Sequence, residues 1–296
     1  MYKASVIADS IYKRKRLVTF EFTMAKCVVA ELNTSRSLSR NSASSRAIPS
    51  DRIISAIESD PFIPEWTIAN KGMVAAGPLP PQLATEATED CLAARDYMIA
   101  YAKRQVARGV SKQDANRYLE PWMFTTIVAT GTDRAWEWFF KLRDHGDADP
   151  KIGKAAKLMH EAYDASTPEE LSDGEWHLPY IGGRDFQNVL ALEGKQPFIS
   201  HLNSLAISGI NGPRVNWYDI LLAHMSAARC ARISYLRQHE DRSVEDEVKR
   251  ACELVKSGHW SPTEHQAIVM PGHNQGGNFG NDQPFAQFRH LIGDGY

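Results

Sequence analysis

The sequence predicts a protein built from both β-strands and α-helices. Two runs have the apolar alternation or β-branched composition of strands, at Arg16–Thr23 (RLVTFEFT) and Phe124–Thr130 (FTTIVAT). Apolar residues recur in steps of three and four between Gln82 and Gly109, which indicates one long helix that the glycine ends. Near the other end of the chain, Ser243 can cap a helix that Gly258 closes.

The remaining elements follow from the same signals. Prolines and the pair Lys71-Gly72 predict a loop-rich segment from Ser50 to Pro81. Scattered Gly and Pro predict connection with minor structure from Ser166 to Pro213. Glycines and amide side chains predict a loop from Gly272 to Asp282. Further helices are predicted directly after the first strand and at 111–121, 136–145, 151–163 and 217–235.

Length and composition predict one soluble globular domain. The 296 residues are expected to form a single domain, 1–296, with loop-rich and helical elaborations at about 50–120 and 166–213. The formal net charge of −2 gives no reason to expect binding to nucleic acid or to a membrane surface. No apolar core follows the basic cluster Lys13 to Arg16, and no stretch approaches the ~20 apolar residues of a membrane span. We therefore expect a cytoplasmic protein.

The four cysteines are widely spaced and form no C-x-x-C pair. This spacing predicts neither a disulfide framework nor a zinc knuckle. Free, buried thiols are the expectation for Cys27, Cys91, Cys230 and Cys252.

A serine-rich stretch, SRSLSRNSASSRAIPS, occupies Ser35 to Ser50. Its seven serines and three arginines suit an anion site, because guanidinium groups bind phosphate oxygens in pairs and hydroxyls add donors. By composition alone, a flexible linker or a phosphorylated Arg/Ser tract is an equal alternative. Position favours the anion site, since a linker should separate domains and this stretch interrupts ordered elements close to the chain start.

Two further stretches concentrate chemically useful groups. Arg143 ends the apolar helix WEWFFKLRDH, where the ordinary interpretation is a snorkelling side chain or an ion pair with Asp144. The second stretch is HWSPTEH, with His259, Glu264 and His265. Its spacing differs from H-E-x-x-H and no other ligand cluster accompanies it, so we predict no metal site. The chain also has no G-x-S-x-G elbow, which argues against a serine hydrolase.

Together these stretches resemble the flavin-dependent thymidylate synthases (ThyX). The family hallmark is R-H-R-x-x-S-x-N-E-x-S-x-R-Y. Laid over TSRSLSRNSASSRA, residues 34–47, it matches at Arg36, Ser39, Asn41, Ser44 and Arg46. Four positions depart from it, where the family has Arg, His, Glu and Tyr and this chain has Thr34, Ser35, Ser42 and Ala47.

The other two stretches extend the resemblance. The family carries H-x-S-P-x-E-H, which HWSPTEH fits at every fixed position, after an A-R-x-S-Y-like piece that is ARISY here, Ala231 to Tyr235. Its late L-R helix is similar to FFKLRDHGDADPKI, with Arg143 retained. In the family H-x-S-P-x-E-H precedes the hallmark, whereas here it follows near the C-terminus. The chain is therefore identified as a divergent, phage-type member with circularly permuted motif order.

The resemblance implies a fold and a reaction. The fold is α+β, with a central antiparallel sheet and long helices, and it assembles as a homotetramer whose sites lie between subunits. The reaction methylates dUMP to dTMP, with methylenetetrahydrofolate as carbon donor, FAD as redox cofactor and NADPH as reductant. The partner is thus a pyrimidine deoxynucleotide, and no catalytic cysteine is required because the cofactor supplies the redox chemistry.

Carried over residue by residue, the resemblance also assigns roles. Arg143 would face the uracil ring and stabilise negative charge on it, with Arg36 and Ser39 as further catalytic residues. Ser44, Ser45 and Arg46 would bind the nucleotide phosphate and sugar. The flavin side would be formed by His259, Ser261, Glu264, Ser234, Arg36 and Asn41.

Two other functions remain open at this point. Thr132 and Trp138 stand where the family has flavin-contacting asparagines, and Glu31 stands at a glutamine position. One alternative is therefore a flavin-independent, folate-dependent hydroxymethyl transferase or other base-modifying enzyme. The other is a non-catalytic paralogue that still binds the nucleotide. Flavin absorbance of the purified protein would favour the methylating enzyme over both.

Overall fold

The computed structural model describes residues 1–72, 74–192, 217–270 and 284–292. Its main sheet has five strands in the order β3-β4-β2-β1-β5, antiparallel except for the β1/β5 pair. A smaller antiparallel sheet has the order β6-β7-β8. The strands are β1 Lys3–Tyr12, β2 Lys15–Ala25, β3 Ser39–Ser42, β4 Phe124–Thr132, β5 Glu169–Glu170, β6 Trp176–His177, β7 Ala267–Val269 and β8 Phe285–Gln287.

Helices cover both faces of the main sheet. They are α1 Val29–Asn33, α2 Ser50–Ser59, α3 Pro81–Ala107, α4 Lys112–Ala115, α5 Asp133–Arg143, α6 Pro150–Ala165, α7 Gly183–Leu190, α8 Trp217–Arg232, α9 Val244–Lys256 and α10 Phe288–Leu291. Short 3₁₀ segments lie at Lys26–Val28, Asn116–Trp122, Ile233–Tyr235 and Ser261–Glu264. The α+β fold with a central antiparallel sheet is thus confirmed.

Alternation along β2 decides which side of the main sheet forms the core. Val18, Phe20, Phe22 and Met24 point to one face and pack with α5 and α6 around the fully buried Trp136. The indole Nε1–H of Trp136 donates to the Val18 carbonyl at 3.1 Å, which pins α5 to the sheet. The opposite face of β2 carries Leu17, which packs against the small sheet. The two central strands are therefore buried on both faces.

The helix signals were read correctly where caps are strong. Ser243 Oγ accepts from the Asp246 amide at the start of α9, and Gly258 follows its end with φ +78°. The predicted long helix corresponds to α3, and Gly109 follows it with φ +84°. A positive φ is the conformation in which glycine carries no steric penalty.

Three predictions need correction. β1 was not predicted at all, because most of its side chains are only half-buried and the alternation is weak. Residues 50–59 were predicted as loop but form α2, whose Ile53, Ile54 and Ile57 pack on α3 and on Trp122. Of the cysteines, Cys230 and Cys252 are buried as expected, whereas Cys27 is exposed.

Some predictions stay untested. The segment from 50 to 122 forms an apolar cluster separate from the main core, but the division into one domain with elaborations remains a prediction. The predicted loop at 272–282 and the stretch 193–213 lie outside the described residues. None of the helices in the described ranges combines the length and apolar character needed to cross a membrane.

Candidate phosphate-binding cavity

Hydroxyl, amide and guanidinium groups surround an open cavity of about 560 Å³. The turn after β3 contributes Ser44 and Arg46, and the 3₁₀ turn after α8 contributes Ser234. The HWSPTEH segment contributes His259 and Ser261 from the opposite side. Three segments that are far apart in the sequence therefore meet around one space.

The cavity is electrostatically suited to an anion. Arg46 and Arg250 are its two guanidinium groups, and His259 and four serines add further polar side chains. Among the described residues that line it, none is Asp or Glu. With the described residues Arg46 makes one long hydrogen bond, 3.3 Å from its Nε to the Gln113 side chain. Its remaining N–H groups are available to a phosphate, which guanidinium binds through paired donors.

A buried asparagine shapes the turn that presents Ser44 and Arg46. Asn116 is fully buried and its Nδ2 donates to the carbonyls of Ser45 at 2.8 Å and Ile48 at 3.1 Å. The Ser44 amide donates to the Ser234 carbonyl at 3.1 Å, which ties the turn to the ARISY segment. The hallmark stretch is therefore a fixed wall of the cavity, and the linker interpretation is wrong.

Ser45 does not line the cavity. Its side chain is 3% exposed, and its hydroxyl donates to Glu120 on the interior side of the turn. The family resemblance placed Ser45 beside the phosphate, and that role stays a prediction. The structure gives this serine a contact that stabilises the turn.

HWSPTEH lies directly against the hallmark strand. The Asn41 side-chain amide contacts Ser261 Oγ at 3.1 Å and His265 Nε2 at 2.9 Å. His259 lies apart from these, with its Nδ1 3.0 Å from Ser257 Oγ. Glu264 pairs with Arg289. The imidazoles and the carboxylate of this segment therefore point in three directions and do not converge as metal ligands would.

Ser39 and Arg40 of β3 are held by other partners. Ser39 Oγ accepts from Gln287 Nε2 at 3.0 Å and is not among the residues that line the cavity. Arg40 donates to the Ser35 carbonyl. Burial lowers the pKa of Arg40, and the nearby carboxylate of Glu264 opposes that shift. The catalytic role predicted for Ser39 is not tested by this placement.

Arg36 and Arg143 lie on a different part of the surface. Arg36 lines a second cavity of about 550 Å³, beside the exposed indole of Trp138 and the ammonium group of Lys141. Arg143 donates to the Glu31 carbonyl at 3.1 Å and to Thr34 Oγ1 at 3.0 Å. Asp144, the carboxylate named in the ordinary interpretation of Arg143, instead contacts His160 Nδ1 at 2.8 Å.

Arg143 and Glu31 each carry one buried polar atom that is unsatisfied. The Nε donor of Arg143 and the Oε2 acceptor of Glu31 have no hydrogen-bond partner in the described part of the chain. Neither residue is among those lining the Arg46 cavity. The cavity is therefore lined by Ser44 and Arg46 but not by Arg143, although all three were predicted to hold one nucleotide.

Sequence reasoning missed several residues that line the cavity. Arg250 lies on the exposed side of α9, and Ser257 follows the end of that helix. Gln113 comes from α4 and Tyr235 from the ARISY segment. The basic residue at Arg250 was visible in the sequence. Its proximity to Arg46 depends on the packing of α9 beside the hallmark turn.

The fold and the cavity define a class of protein. Arginine and serine donors around an open cavity, with no carboxylate among its described lining residues, are typical of proteins that take phosphorylated small molecules. The chain belongs to the Thy1 family, described as thymidylate synthase complementing protein, whose family model matches residues 15–169. It is a thymidylate synthase-like methyltransferase. The matched range contains the hallmark and Arg143 and ends before HWSPTEH, and the circular permutation remains a prediction.

Two solved structures are similar to part of the chain. Both are of the UMP/dUMP methylase PolB from Streptomyces cacaoi, one bound with 5-Br dUMP and one with 5-Br UMP. Each is 19% identical and covers 51% of this chain, with 71% and 74% of the other chain covered and TM-scores of 0.40 and 0.41. No curated protein matches the sequence.

Proposed function

We propose that the protein transfers a one-carbon unit to carbon 5 of a pyrimidine deoxynucleotide. The simplest case is dUMP to dTMP, with methylenetetrahydrofolate as carbon donor, FAD as redox cofactor and NADPH as reductant. The observation that carries the proposal is the cavity lined by Ser44, Arg46 and Arg250, whose described lining residues include no carboxylate. A phosphate there gains charge-assisted hydrogen bonds from two arginines.

The size and openness of the cavity support a nucleotide. A volume of about 560 Å³ lies within the range of ~300–1,000 Å³ that small-molecule sites occupy. Ser44 and Ser234 offer hydroxyl groups beside Arg46, which suits a phosphate and the sugar attached to it. The same face carries Asn41 and Ser261, which would contact the ligand or a cofactor next to it.

The donor set also fits the phosphates of FAD. His259, Ser261, Ser234 and Asn41 would hold the cofactor, because they offer hydrogen-bonding groups in a cavity where the structure describes no carboxylate. FAD, when bound and reduced by NADPH, would supply the hydride equivalents that methyl transfer from methylenetetrahydrofolate requires. The protein residues would bind, orient and exclude water. Glu264 is engaged by Arg289 and would act through that pair.

Arg143 is proposed to stabilise negative charge on the pyrimidine ring. Its buried Nε–H lacks a partner in the described structure, so it is free to donate to a carbonyl oxygen of the base. Arg36 would lie near the same ligand, since Thr34 contacts Arg143 and lines the Arg36 cavity. These residues lie apart from Arg46 in one chain, so the proposal requires a homo-oligomer, most simply a tetramer, with shared sites.

Arg46→Ala is expected to weaken dUMP binding by ~1.5–3 kcal/mol, the range for a charge-assisted hydrogen bond. Arg250→Ala should act in the same direction because its guanidinium lines the same cavity. Isothermal titration calorimetry measures both. Arg242, which pairs with Glu240 at 2.7 Å and does not line the cavity, provides the control, and Arg242→Ala should leave the affinity unchanged. Equal affinities for all three variants and wild type would exclude the cavity as the nucleotide site.

Mixing two inactive variants tests whether sites are shared between subunits. Arg46→Ala and Arg143→Ala proteins should each lose turnover, because each lacks one half of every site. Co-refolded or co-expressed mixtures are expected to regain part of it, since a subunit intact at Arg46 can meet another intact at Arg143. A double variant mixed with itself is the control. A mixture as inactive as its components would mean that each site is built within one chain.

A further inference from the structure

A chain of hydrogen bonds runs into the protein interior from the cavity lined by Ser44 and Arg46, called here the phosphate cavity. It starts at Ser261 and Asn41 and continues from His265 Nδ1 to Thr130 Oγ1 at 2.9 Å. Thr130 Oγ1 lies 2.6 Å from Thr19 Oγ1 on the neighbouring strand. The inner half of the chain joins Thr19 Oγ1 to His177 Nε2 at 2.7 Å and His177 Nδ1 to Ser10 Oγ at 2.9 Å.

The interior members of this chain are shielded from water. Thr19 and His265 are 0% exposed, and Thr130 and His177 are 1% exposed. Burial lowers the pKa of both imidazoles to about 3, so each ring is neutral and carries one N–H near neutral pH. A neutral imidazole with two partners donates through one nitrogen and accepts through the other. Each ring is therefore either the Nδ1–H or the Nε2–H tautomer.

Thr130 and Thr19 couple the tautomer of His265 to that of His177. Each hydroxyl has one proton and, within the chain, two partners. If His265 carries its proton on Nδ1, Thr130 donates to Thr19 and Thr19 donates to His177 Nε2, so His177 is protonated on Nδ1. If His265 carries its proton on Nε2, every donor reverses and His177 is protonated on Nε2 as well. The two rings must take the same tautomer for all bonds to form.

At the cavity end, the orientation of the Asn41 amide determines in which of these two orders, His265 protonated on Nδ1 or on Nε2, the hydrogen bonds are donated. In one orientation its Oδ1 meets His265 Nε2 at 2.9 Å and its Nδ2 donates to Ser261 Oγ at 3.1 Å. In the other, Nδ2 faces His265 Nε2 at 2.9 Å, the Ser261 carbonyl at 3.1 Å and the Arg40 carbonyl at 3.2 Å, and Oδ1 accepts from Ser261 Oγ. The second orientation has more acceptors for the amide N–H groups, so it is favoured in the free protein.

We propose that His265 is a positioning residue, and that its hydrogen-bond chain to His177 sets the direction of the Asn41 amide and the proton of Ser261. In the favoured order the Ser261 proton points to Asn41, and the hydroxyl offers only lone pairs to the cavity. In the reversed order Asn41 donates to Ser261, whose proton is free for a ligand. A phosphate needs donors, so its binding favours the reversed order. The proposal deepens the proposed function, because it rests on the phosphate cavity.

The reversal leaves the charge of the chain unchanged. Each imidazole has one N–H before and after, each hydroxyl keeps one O–H, and the amide keeps both protons. The two orders differ only in which ring nitrogen carries the proton and in which direction each hydroxyl donates. The consequence can be measured at His177, which is four hydrogen bonds from Asn41 and does not line the cavity.

The first test uses Asn41→Asp in the full-length protein without any ligand. A carboxylate only accepts, so His265 must present Nε2–H to it, and the chain must reverse. The ring nitrogen-15 shifts of the histidines, recorded at about pH 9 to keep the imidazoles neutral, report the tautomers. We expect His177 to change from the Nδ1–H to the Nε2–H tautomer. His224 is the internal control, because its ring contacts the Ile220 carbonyl outside the chain, and its tautomer should not change.

A matched variant and a ligand complete the experiment. Thr130→Val removes the middle hydroxyl at nearly constant shape, so in the Asn41→Asp/Thr130→Val protein His177 should keep its wild-type tautomer. In the wild-type protein, saturating inorganic phosphate should produce the same His177 change as Asn41→Asp. If Asn41→Asp does not fold, the phosphate titration of the wild-type protein alone tests whether the His177 tautomer responds to the cavity.

Two results would overturn the inference. One is a His177 tautomer that is identical in wild-type and folded Asn41→Asp protein. The other is phosphate binding, confirmed by calorimetry, that leaves His177 unchanged. Failure of dUMP to bind would instead contradict the proposed function. The Asn41→Asp experiment uses no ligand, so it would still test the hydrogen-bond chain.

Discussion

Glu247→Ala is expected to lower the free energy of unfolding by about 3–5 kcal/mol, because it removes the shared partner of two buried arginines. Glu247 is 0% exposed on α9. Its Oε1 accepts from Arg229 Nε at 3.2 Å and from Arg232 Nη2 at 2.7 Å, and its Oε2 pairs with Arg232 Nη1. Arg229 and Arg232 are 8% and 7% exposed. Without Glu247, positive charge would remain in the interior with too few acceptors.

The same network explains why the effect should be large. Arg229 also binds Asp185 through two bonds of 2.8 and 2.6 Å, so the cluster joins α7, α8 and α9. Urea unfolding monitored by circular dichroism measures the loss. Glu253 lies on the same helix, and in the described part of the chain its side chain makes one exposed ion pair, with Arg250 at 3.7 Å, so Glu253→Ala should cost less than about 1 kcal/mol. Equal effects of the two variants would contradict a structural role for the cluster.

The second large effect is expected on acidification. Burial lowers the pKa of His177 and His265 to about 3 and that of His224 to about 4, with the charge of Asp9 opposing the shift at His177. In the unfolded chain the three rings titrate near pH ~6.5. Below that pH the unfolded state takes up protons that the folded state does not, so stability is lost as the pH falls.

The size of this loss follows from the difference in pKa. Each pH unit below ~6.5 costs about 1.4 kcal/mol per histidine, so the three together cost about 6 kcal/mol at pH ~5. Urea unfolding between pH ~7 and ~5 measures the slope. His224→Gln should reduce that slope by about one third, because His224 contributes one of three equal terms. Stability that stays constant over this range would contradict the prediction.

The sequence predicted the parts of the fold that have strong local signals. β2 was found because its side chains alternate, β4 because it is rich in β-branched residues, and α9 because Ser243 and Gly258 mark its ends. α2 was missed although Pro49 precedes it and Ile53, Ile54 and Ile57 follow a helical spacing. The sequence therefore contained enough information to predict α2. β1 had a weaker one, because its stability comes from pairing with β2 along nearly its whole length.

The site was predictable only as far as its residues lie in recognisable motifs. Ser44, Arg46 and Ser261 were found that way, and the structure brings them into one cavity. Arg250 could not be found, because an arginine on an exposed helix face has no sequence pattern that marks it. The inward direction of Ser45 depends on Glu120 and Asn116, two residues of a distant 3₁₀ segment. Tertiary contacts therefore decided which members of the hallmark stretch line the cavity.

The central claim is tested most directly by the mass of the nucleotide product. The purified wild-type protein would be incubated with dUMP, methylenetetrahydrofolate, FAD and NADPH, and the nucleotide analysed by mass spectrometry. We expect dUMP to be converted to dTMP, with the conversion lost in Arg46→Ala. A product that carries a hydroxymethyl group would instead support a base-modifying transferase. Unchanged dUMP, under conditions where calorimetry detects its binding, would contradict one-carbon transfer to this nucleotide.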